Sequence, residues 1–256
     1  MDDSRRAPPL GRLLGAGKEA EVFEYKDRVA KLYKPHALKR SVFREAAILA
    51  FVESLGLPTP AVSGVREFDG RWGVIMDRID GPLFAEAMRR DLAAVPAYLN
   101  AMAALHRRIH AQPAAPLANL KAKLAANIER TTLLRETLRA DLLERLAAMP
   151  DGDRLCHGDF HPMNILGKIG RETIVDWLDA SRGDPAADVC RSYVLIKPRS
   201  DALASAYVDV YAKISGVSRK NVLRWLPFVA AARLAEGVED EAEGLMQMAA
   251  AASSAF

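Results

Sequence analysis

Short runs of alternating apolar and polar residues dominate the first eighty positions of the chain. Such alternation predicts half-buried β-strands, and turn signals at Lys26-Asp27 and Asp69-Gly70 separate the runs. Four runs show this pattern: GRLLGAG, EAEVFEY, DRVAKLY and RWGVIMD. One segment of helical period, SVFREAAILAFVESLG, interrupts them and ends at Gly56. We therefore expect a small β-rich lobe at the start of the chain.

The pattern becomes helical after Asp80-Gly81-Pro82. Apolar residues recur at a period near 3.6 in three long runs and again towards the end of the chain. These three runs are AYLNAMAALHRRIHA, NLKAKLAANIERTTLL and RADLLERLAAM. The expected organisation is an N-terminal lobe at 1–79 with an antiparallel sheet, a connector at 76–81, and a larger, mainly helical lobe at 80–256.

Composition excludes several classes of protein. With 256 residues, half of them apolar, the chain can bury a large core. The net charge of +3 comes from interspersed charges without a basic stripe, which argues against nucleic-acid binding. No apolar run reaches the length of a membrane span, so no membrane partner is expected. The cysteines Cys156 and Cys190 are far apart in apolar surroundings, which favours reduced thiols and a cytoplasmic location. Nothing in the sequence indicates the oligomeric state.

A glycine-rich segment, LGAGKEAEV, lies between the first two predicted strands. Gly15 and Gly17 lack side chains, so their backbone N–H groups could approach phosphate oxygens closely. Ala20 occupies the position of a third glycine in nucleotide-binding loops of this kind. Glycines in an ordinary hairpin turn are the alternative interpretation of this segment alone.

The next two elements carry a lysine and a glutamate. Lys31 lies in the predicted strand VAKLY, on the same face as Val29 and Tyr33. Glu45 shares a helical stripe with apolar residues, so its carboxylate is expected to be half-buried and to need a cation. Lys31 is a natural candidate for that cation.

The most informative stretch is RLCHGDFHPMNILG, a loop between two predicted strands. Transfer of a phosphoryl group to a hydroxyl needs a carboxylate that orients the hydroxyl and oxygen ligands for Mg²⁺. Asp159 and Asn164, five residues apart, can supply both from one loop. Asp176 follows the apolar strand in TIVDWLD and adds a second carboxylate for a hard cation.

Histidine pairs offer a competing interpretation as zinc ligands. His157 and His161 have the i, i+4 spacing of a zinc-binding helix, but Gly158 and a following proline argue against a helix there. The pair in LHRRIH, His106 and His110, lacks the glutamate of a zinc protease and is expected to be structural or on the surface.

The segments LCHGDFHPMNIL and IVDWLDASRGDPAADVCRS resemble the aminoglycoside phosphotransferase and choline kinase-like family of small-molecule kinases. The resemblance extends over roughly residues 10–195. It implies a bilobal α+β, protein-kinase-like fold that binds ATP and Mg²⁺ between its lobes and phosphorylates a hydroxyl of a small molecule.

The resemblance also implies roles for individual residues. Asp159 would be the catalytic base, Asn164 and Asp176 the Mg²⁺ ligands, and His157 and Asp188 the supports of the catalytic loop. The expected nucleotide-binding residues are Gly15, Gly17, Lys31, Glu45, Met76, Asp77, Arg78 and Ile79.

Two other functions compete with this one. A conventional protein kinase is disfavoured because no Ala-Pro-Glu segment is present and only eleven residues separate Asp176 from Asp188. An atypical protein kinase of the RIO type and a non-catalytic, nucleotide-binding pseudokinase stay open as alternatives.

An acidic segment near the C-terminus, RLAEGVEDEAEGLMQM, reverses the local sign of charge. At helical spacing Glu236, Asp240 and Glu243 would share one face. They could bind a cationic acceptor such as an amine, or they could form a solvated helix face. Both interpretations stay open.

Overall fold

The computed structural model describes residues 9–251, which contain nine strands and ten α-helices. The strands are β1 Leu13–Ala16, β2 Ala20–Tyr25, β3 Arg28–Tyr33, β4 Val62–Phe68, β5 Arg71–Asp77, β6 Arg154–Cys156, β7 Ile165–Lys168, β8 Arg171–Ile174 and β9 Ser181–Gly183. The helices are α1 Lys39–Ser54, α2 Phe84–Arg90, α3 Val95–His110, α4 Leu120–Arg130, α5 Glu136–Ala147, α6 Pro185–Ile196, α7 Asp201–Ser215, α8 Arg219–Leu223, α9 Leu226–Leu234 and α10 Ala242–Ala250.

The chain divides into two compact units. The first unit contains Met1–Phe84 and Ile165–Leu178, and the second contains Ala85–Asn164 and Asp179–Phe256. We call residues 157–164 the catalytic loop, after the role that the sequence predicts for them. The segment 165–178, which follows this loop in sequence, thus groups with the N-terminal part of the chain. A single boundary near residue 80 therefore does not describe the division, because residues 165–178 belong to the first unit.

The first unit is built on a five-stranded antiparallel sheet with the strand order β1-β2-β3-β5-β4. Its hairpins turn at residues with left-handed backbone: Lys26 has a φ of 56° and Asp69 a φ of 47°. A small apolar core on one face includes Tyr25 and Phe68, whose rings pack edge to face at 5.3 Å. The sequence predicted four of these strands, and β4 is the one it missed.

Helix α1 and the β7–β8 hairpin complete the first unit. Helix α1 buries one apolar stripe against the sheet, and Glu45 lies within that stripe. The N–H of Ile174 donates to the carbonyl of Pro58 at 2.7 Å, and the N–H of Gly167 donates to Pro82 at 3.0 Å. These bonds hold the hairpin that ends just before Asp176.

The second unit is mainly helical, with the short antiparallel pair β6–β9 as its only sheet among the described residues. Helix α6 is buried along most of its length, and the side chain of Asp184 caps its N-terminus by accepting from the N–H of Ala186. The strand β6 leads directly into the catalytic loop, so α6 and β6 together position that loop.

The described part of the chain thus has an α+β fold with a small antiparallel sheet and a larger helical unit, as the sequence predicted. None of its helices combines the length and the apolar character that crossing a bilayer requires.

Candidate active site

The first unit brings together three charged side chains that the sequence singled out. The Nζ of Lys31 lies 2.7 Å from Oε1 of Glu45 and 2.9 Å from Oδ1 of Asp176. Lys31 comes from β3, Glu45 from α1, and Asp176 from the segment after β8. Burial alone would lower the pKa of Lys31, but the charges of Glu45 and Asp176 raise it above its ordinary value. Lys31 is therefore a fixed positive charge.

Tyr33 is a fourth member of this group that the sequence did not assign to the site. Its hydroxyl donates to Oε2 of Glu45, so Lys31 and Tyr33 hold the two oxygens of one buried carboxylate. Burial, together with the charge of Glu45, raises the pKa of Tyr33 far above its ordinary value and keeps the hydroxyl a donor. The sequence signal was the period-two spacing from Lys31, which places both side chains on one face of β3.

Asp176 adopts a backbone conformation that is uncommon for residues other than glycine. Its φ is 63°, in the left-handed region, and unlike Lys26 and Asp69 it does not lie in a two-residue hairpin turn. Backbone strain of this kind costs about 1–3 kcal/mol and clusters at functional sites. Its side chain is 44% exposed, which leaves carboxylate surface open beside the bond to Lys31.

The other nucleotide-binding candidates also lie in the first unit. Gly15 ends β1 with Ala16, and a Cβ placed on Gly15 would meet no atom within 4 Å, so the strand end faces open space. Gly17 donates to the carbonyl of Ala20 at 2.8 Å and closes the loop.

The connector follows β5, where Met76 and Asp77 are still paired with β3. The N–H of Asp77 donates to the carbonyl of Ala61 at 3.0 Å. Within the described residues, the N–H groups of Arg78 and Ile79 donate no backbone hydrogen bond. The N–H groups of Arg78 and Ile79 are therefore available as donors to a ligand.

The second unit holds the catalytic loop, in which Asp159 and Asn164 are bonded to each other. The Nδ2 of Asn164 donates to Oδ2 and to the backbone carbonyl of Asp159, each at 2.8 Å. Burial opposes ionisation of Asp159, but the hydrogen bond and charge of His161 hold the pKa of Asp159 well below its ordinary value. Asp159 is thus an anion at neutral pH.

Asp188 supports this loop from the first turn of α6. Its two oxygens accept from the backbone N–H groups of His157 at 2.6 Å and Gly158 at 2.8 Å. The Nδ1 of the buried His157 ring accepts from the N–H of Asp159 at 3.1 Å. The structure therefore places both predicted supports beside the loop.

The histidine pair of α3 completes the environment of Asp188. The Nε2 atoms of His106 and His110 lie 2.9 Å and 3.2 Å from Oδ2 of Asp188, and their Nδ1 atoms face the hydroxyls of Tyr207 and Tyr211, each at 2.6 Å. Because a carboxylate only accepts, both Nε2 atoms carry the proton and both Nδ1 atoms accept from tyrosine.

These histidines are buried and structural. The ligand atoms of His106, His110 and Asp188 lie within 4.8 Å of one another, but each of them already has a hydrogen-bond partner. Burial, with the nearby His110, lowers the pKa of His106 to about 3, so this ring is neutral. Burial opposes ionisation of Asp188, but its hydrogen bonds to these two rings hold the pKa of Asp188 well below its ordinary value.

The acidic segment differs from the expected single helical face. Helix α9 ends at Leu234, Gly237 has a φ of 67°, and Asp240 lies in a 3₁₀ turn before α10. The prediction that Glu236, Asp240 and Glu243 share one face of a helix is therefore wrong, because the glycine interrupts the helix. Glu236 is paired with two arginines, whereas Asp240 and Glu243 are exposed.

Each unit offers an oxygen atom of the kind that binds Mg²⁺. Since the amide nitrogen of Asn164 is committed to Asp159, its Oδ1 is the atom left to accept, and it receives no hydrogen bond from the described residues. Asp176 adds exposed carboxylate oxygen. Amide and carboxylate oxygens are the ligands that Mg²⁺ prefers.

Comparison with known proteins identifies the family. The model of the phosphotransferase enzyme family matches residues 11–241, which is most of the chain. The chain belongs to this family. It is therefore an ATP-dependent small-molecule kinase, as the sequence predicted. A search of curated proteins found no match to the chain.

The solved structures of similar fold include aminoglycoside phosphotransferases. A thermostable mutant of APH(4)-Ia, in a ternary complex with ADP and hygromycin B, is 18% identical, with a TM-score of 0.72 over 97% of this chain and 95% of that one. APH(3'')-Id from Streptomyces rimosus, in complex with ADP and streptomycin, is 20% identical, with a TM-score of 0.62 over 84% and 90%. The streptomycin-ATP-APH(2'')-IIa complex is 19% identical, with a TM-score of 0.60 over 94% and 91%. At these identities the likeness establishes the protein-kinase-like fold.

Proposed function

We propose that the protein transfers the γ-phosphoryl group of ATP to a hydroxyl group of a small molecule, with Asp159 as the catalytic base. The observation that carries this proposal is the group formed by Lys31, Glu45 and Asp176. A buried carboxylate holds the lysine of β3, and the same lysine reaches a strained aspartate with exposed oxygen. A kinase needs these parts to bind and align the phosphates.

The nucleotide belongs to the first unit in this proposal. Lys31, held by Glu45, would pair with phosphate oxygens, and the loop of Gly15 and Gly17 would cover them. Adenine would bind to the connector that follows Met76 and Asp77, at the backbone groups of Arg78 and Ile79. Asn164 and Asp176 would hold Mg²⁺, which would offset the negative charge of the phosphates.

Asp159 has a defined task on the acceptor. Its carboxylate is anionic and is fixed by Asn164, so it can accept a hydrogen bond from the attacking hydroxyl and orient the oxygen towards the phosphorus. In a loose transition state the hydroxyl proton passes to this carboxylate as the bond to the leaving group weakens.

The acceptor is a hydroxyl compound such as an aminoglycoside-like antibiotic or an amino alcohol. The related structures contain hygromycin B and streptomycin, which carry both hydroxyl and amino groups. Within the acidic segment, Asp240 and Glu243 are exposed, as is Glu239, and their carboxylates could attract a cationic acceptor. Glu236 is a weaker candidate because Arg191 and Arg233 already neutralise it.

A screen for acceptors tests the proposal. Purified protein is incubated with Mg-ATP and aminoglycosides, choline-like amino alcohols, thiamine or sugars, and release of ADP is followed. The Asp159→Asn variant, prepared in the same way, reports contaminating kinases. ADP release that requires both an acceptor and Asp159 is the expected result. Release that is equal in the two proteins for every acceptor would contradict the assignment of the base.

A further inference from the structure

A chain of alternating charges links the C-terminal segment to the catalytic loop. Arg191 in α6 lies 2.7 Å from Glu236, and the other oxygen of Glu236 lies 2.7 Å from Arg233 in α9. Arg233 in turn makes two bonds to Glu241, at 2.6 Å and 3.0 Å. We call Arg191, Glu236, Arg233 and Glu241 the charge ladder. All four residues lie in the second unit.

The ladder ends on the residue before the catalytic base. The Nε of Arg191 donates to the carbonyl of Gly158 at 3.1 Å, while the N–H of Gly158 donates to Asp188 at 2.8 Å. Arg191 follows Asp188 by three positions, so both side chains come from one face of α6. One buried helix therefore holds Gly158 at its N–H and at its carbonyl, and so fixes the direction in which the backbone enters Asp159.

Close packing leaves Gly158 little freedom to move away from Asp188 and Arg191. Its φ is 84°, and a Cβ at this position would lie 2.5 Å from the carbonyl oxygen of Asp179. Only glycine fits such a close approach without displacing the backbone. The peptide groups on both sides of Gly158 are thus held by side chains of α6 and by close packing.

The rest of the ladder explains how Arg191 can be buried. The side chain of Arg191 is 13% exposed, and a buried guanidinium needs a counter-charge with good hydrogen-bond geometry. Burial alone would lower the pKa of Arg191, but Glu236, followed by Asp159 and Asp179, raises it. Arg233, whose side chain is 11% exposed, and Glu241 then orient Glu236 from the other side.

We infer that Arg191 is a positioning residue for Asp159 and that Glu236 keeps Arg191 in place. The acidic segment then acts on the reaction partly by holding Arg191 against the catalytic loop. Glu236 serves this purpose and does not bind the amine of an acceptor. This inference rests on the proposed role of Asp159. It assigns a function to a residue to which the family resemblance gave no role.

The test compares arginine variants in acceptor phosphorylation. Arg191→Gln is expected to lower kcat by about 10- to 100-fold, since small displacements of a catalytic group cost rates of this order, while the KM for ATP stays within about twofold. Arg191→Lys, which keeps the charge but loses the planar fork, should recover part of the loss. Glu236→Gln and Arg233→Gln should give successively smaller losses. The matched control is Arg219→Gln, which removes an arginine paired with Asp209 at 2.8 Å outside the ladder and should leave kcat unchanged.

A second measurement does not depend on activity. Hydrogen–deuterium exchange of the segment 154–164 should be faster in Arg191→Gln than in the unmodified protein, and unchanged in Arg219→Gln. If Arg191→Gln does not fold, Glu236→Gln provides the same comparison.

The inference is overturned if folded Arg191→Gln keeps the kcat and the loop exchange of the unmodified protein. A raised acceptor KM at unchanged kcat would also overturn it, because Arg191 would then bind the acceptor. An unmodified protein that is inactive with every acceptor contradicts the proposed function instead, and loop exchange still decides whether Arg191 holds the loop.

Discussion

Replacement of Asp188 by asparagine should destabilise the protein strongly. The Asp188 carboxylate is fully buried and accepts four N–H groups: two from the backbone of the catalytic loop and two from the imidazoles of His106 and His110. Three of these donors share Oδ2, and the N–H of Gly158 alone bonds to Oδ1. Asparagine can keep an oxygen towards the three donors only by turning its NH₂ group towards Gly158.

The magnitude follows from this count of donors. A hydrogen bond to a charged group contributes about 1.5–3 kcal/mol, and a buried donor without a partner costs about 1–3 kcal/mol. Asp188→Asn loses one such bond, leaves the N–H of Gly158 facing another donor, and weakens the three remaining bonds. We expect a loss of about 3–5 kcal/mol in the free energy of unfolding, a large share of the 5–15 kcal/mol typical of folded proteins.

Urea unfolding followed by circular dichroism measures this loss. The matched control is Asp209→Asn, because Asp209 pairs with Arg219 while its side chain is 63% exposed, and surface pairs contribute about 1 kcal/mol or less. A loss below about 1 kcal/mol for Asp188→Asn would refute the claim that this carboxylate stabilises the fold through four charge-assisted bonds, two of them to the loop.

Other parts of the molecule give further expectations. Asp176→Ala should reduce Mg-dependent turnover by about 100-fold or more, and Lys31→Met should raise the KM for ATP; unchanged ADP release by either variant argues against their roles. In the folded protein the pKa of His106 is lowered to about 3, from an ordinary value near 6.5. Below about pH 6.5 this histidine therefore takes up a proton in the unfolded chain but not in the folded protein, and the free energy of unfolding should fall. In thermal unfolding between about pH 7.5 and 5.5, His106→Gln should show a shallower pH dependence than the unmodified protein. With an amine acceptor, Asp240→Asn should raise the acceptor KM but not that for ATP, less so at high salt, and no change would indicate a solvated surface.

The sequence predicted most of the first unit because the patterns that define its strands and its helix involve residues close together along the chain. Alternation identified β2, β3 and β5, and the helical stripe of α1 correctly placed Glu45 among buried apolar residues. Strand β4 was missed because Gly64 interrupts its alternation, and the structure has a register shift at this position. The grouping of 165–178 with the first unit depends on contacts over long separations, which no local pattern reports.

In the site, too, the features predicted from the sequence involve residues close together along the chain, and a feature that was missed involves distant residues. The spacing of Asp159 and Asn164 was informative because both lie on one short loop. Arg191 was missed because its partners, Gly158 and Glu236, are 33 and 45 positions away along the chain. The helical face expected through Glu236 failed for a local reason, since Gly237 takes a left-handed conformation that ends the helix.

The central claim is that Asp159 directs phosphoryl transfer to a small hydroxyl acceptor. The most direct measurement is single-turnover transfer from γ-labelled ATP to the best acceptor from the screen, comparing the unmodified protein with Asp159→Asn. The account predicts labelled acceptor from the unmodified protein and a rate about 10²–10⁴ lower for the variant, with nucleotide affinity nearly unchanged. Labelled acceptor formed at the same rate by both proteins would contradict it.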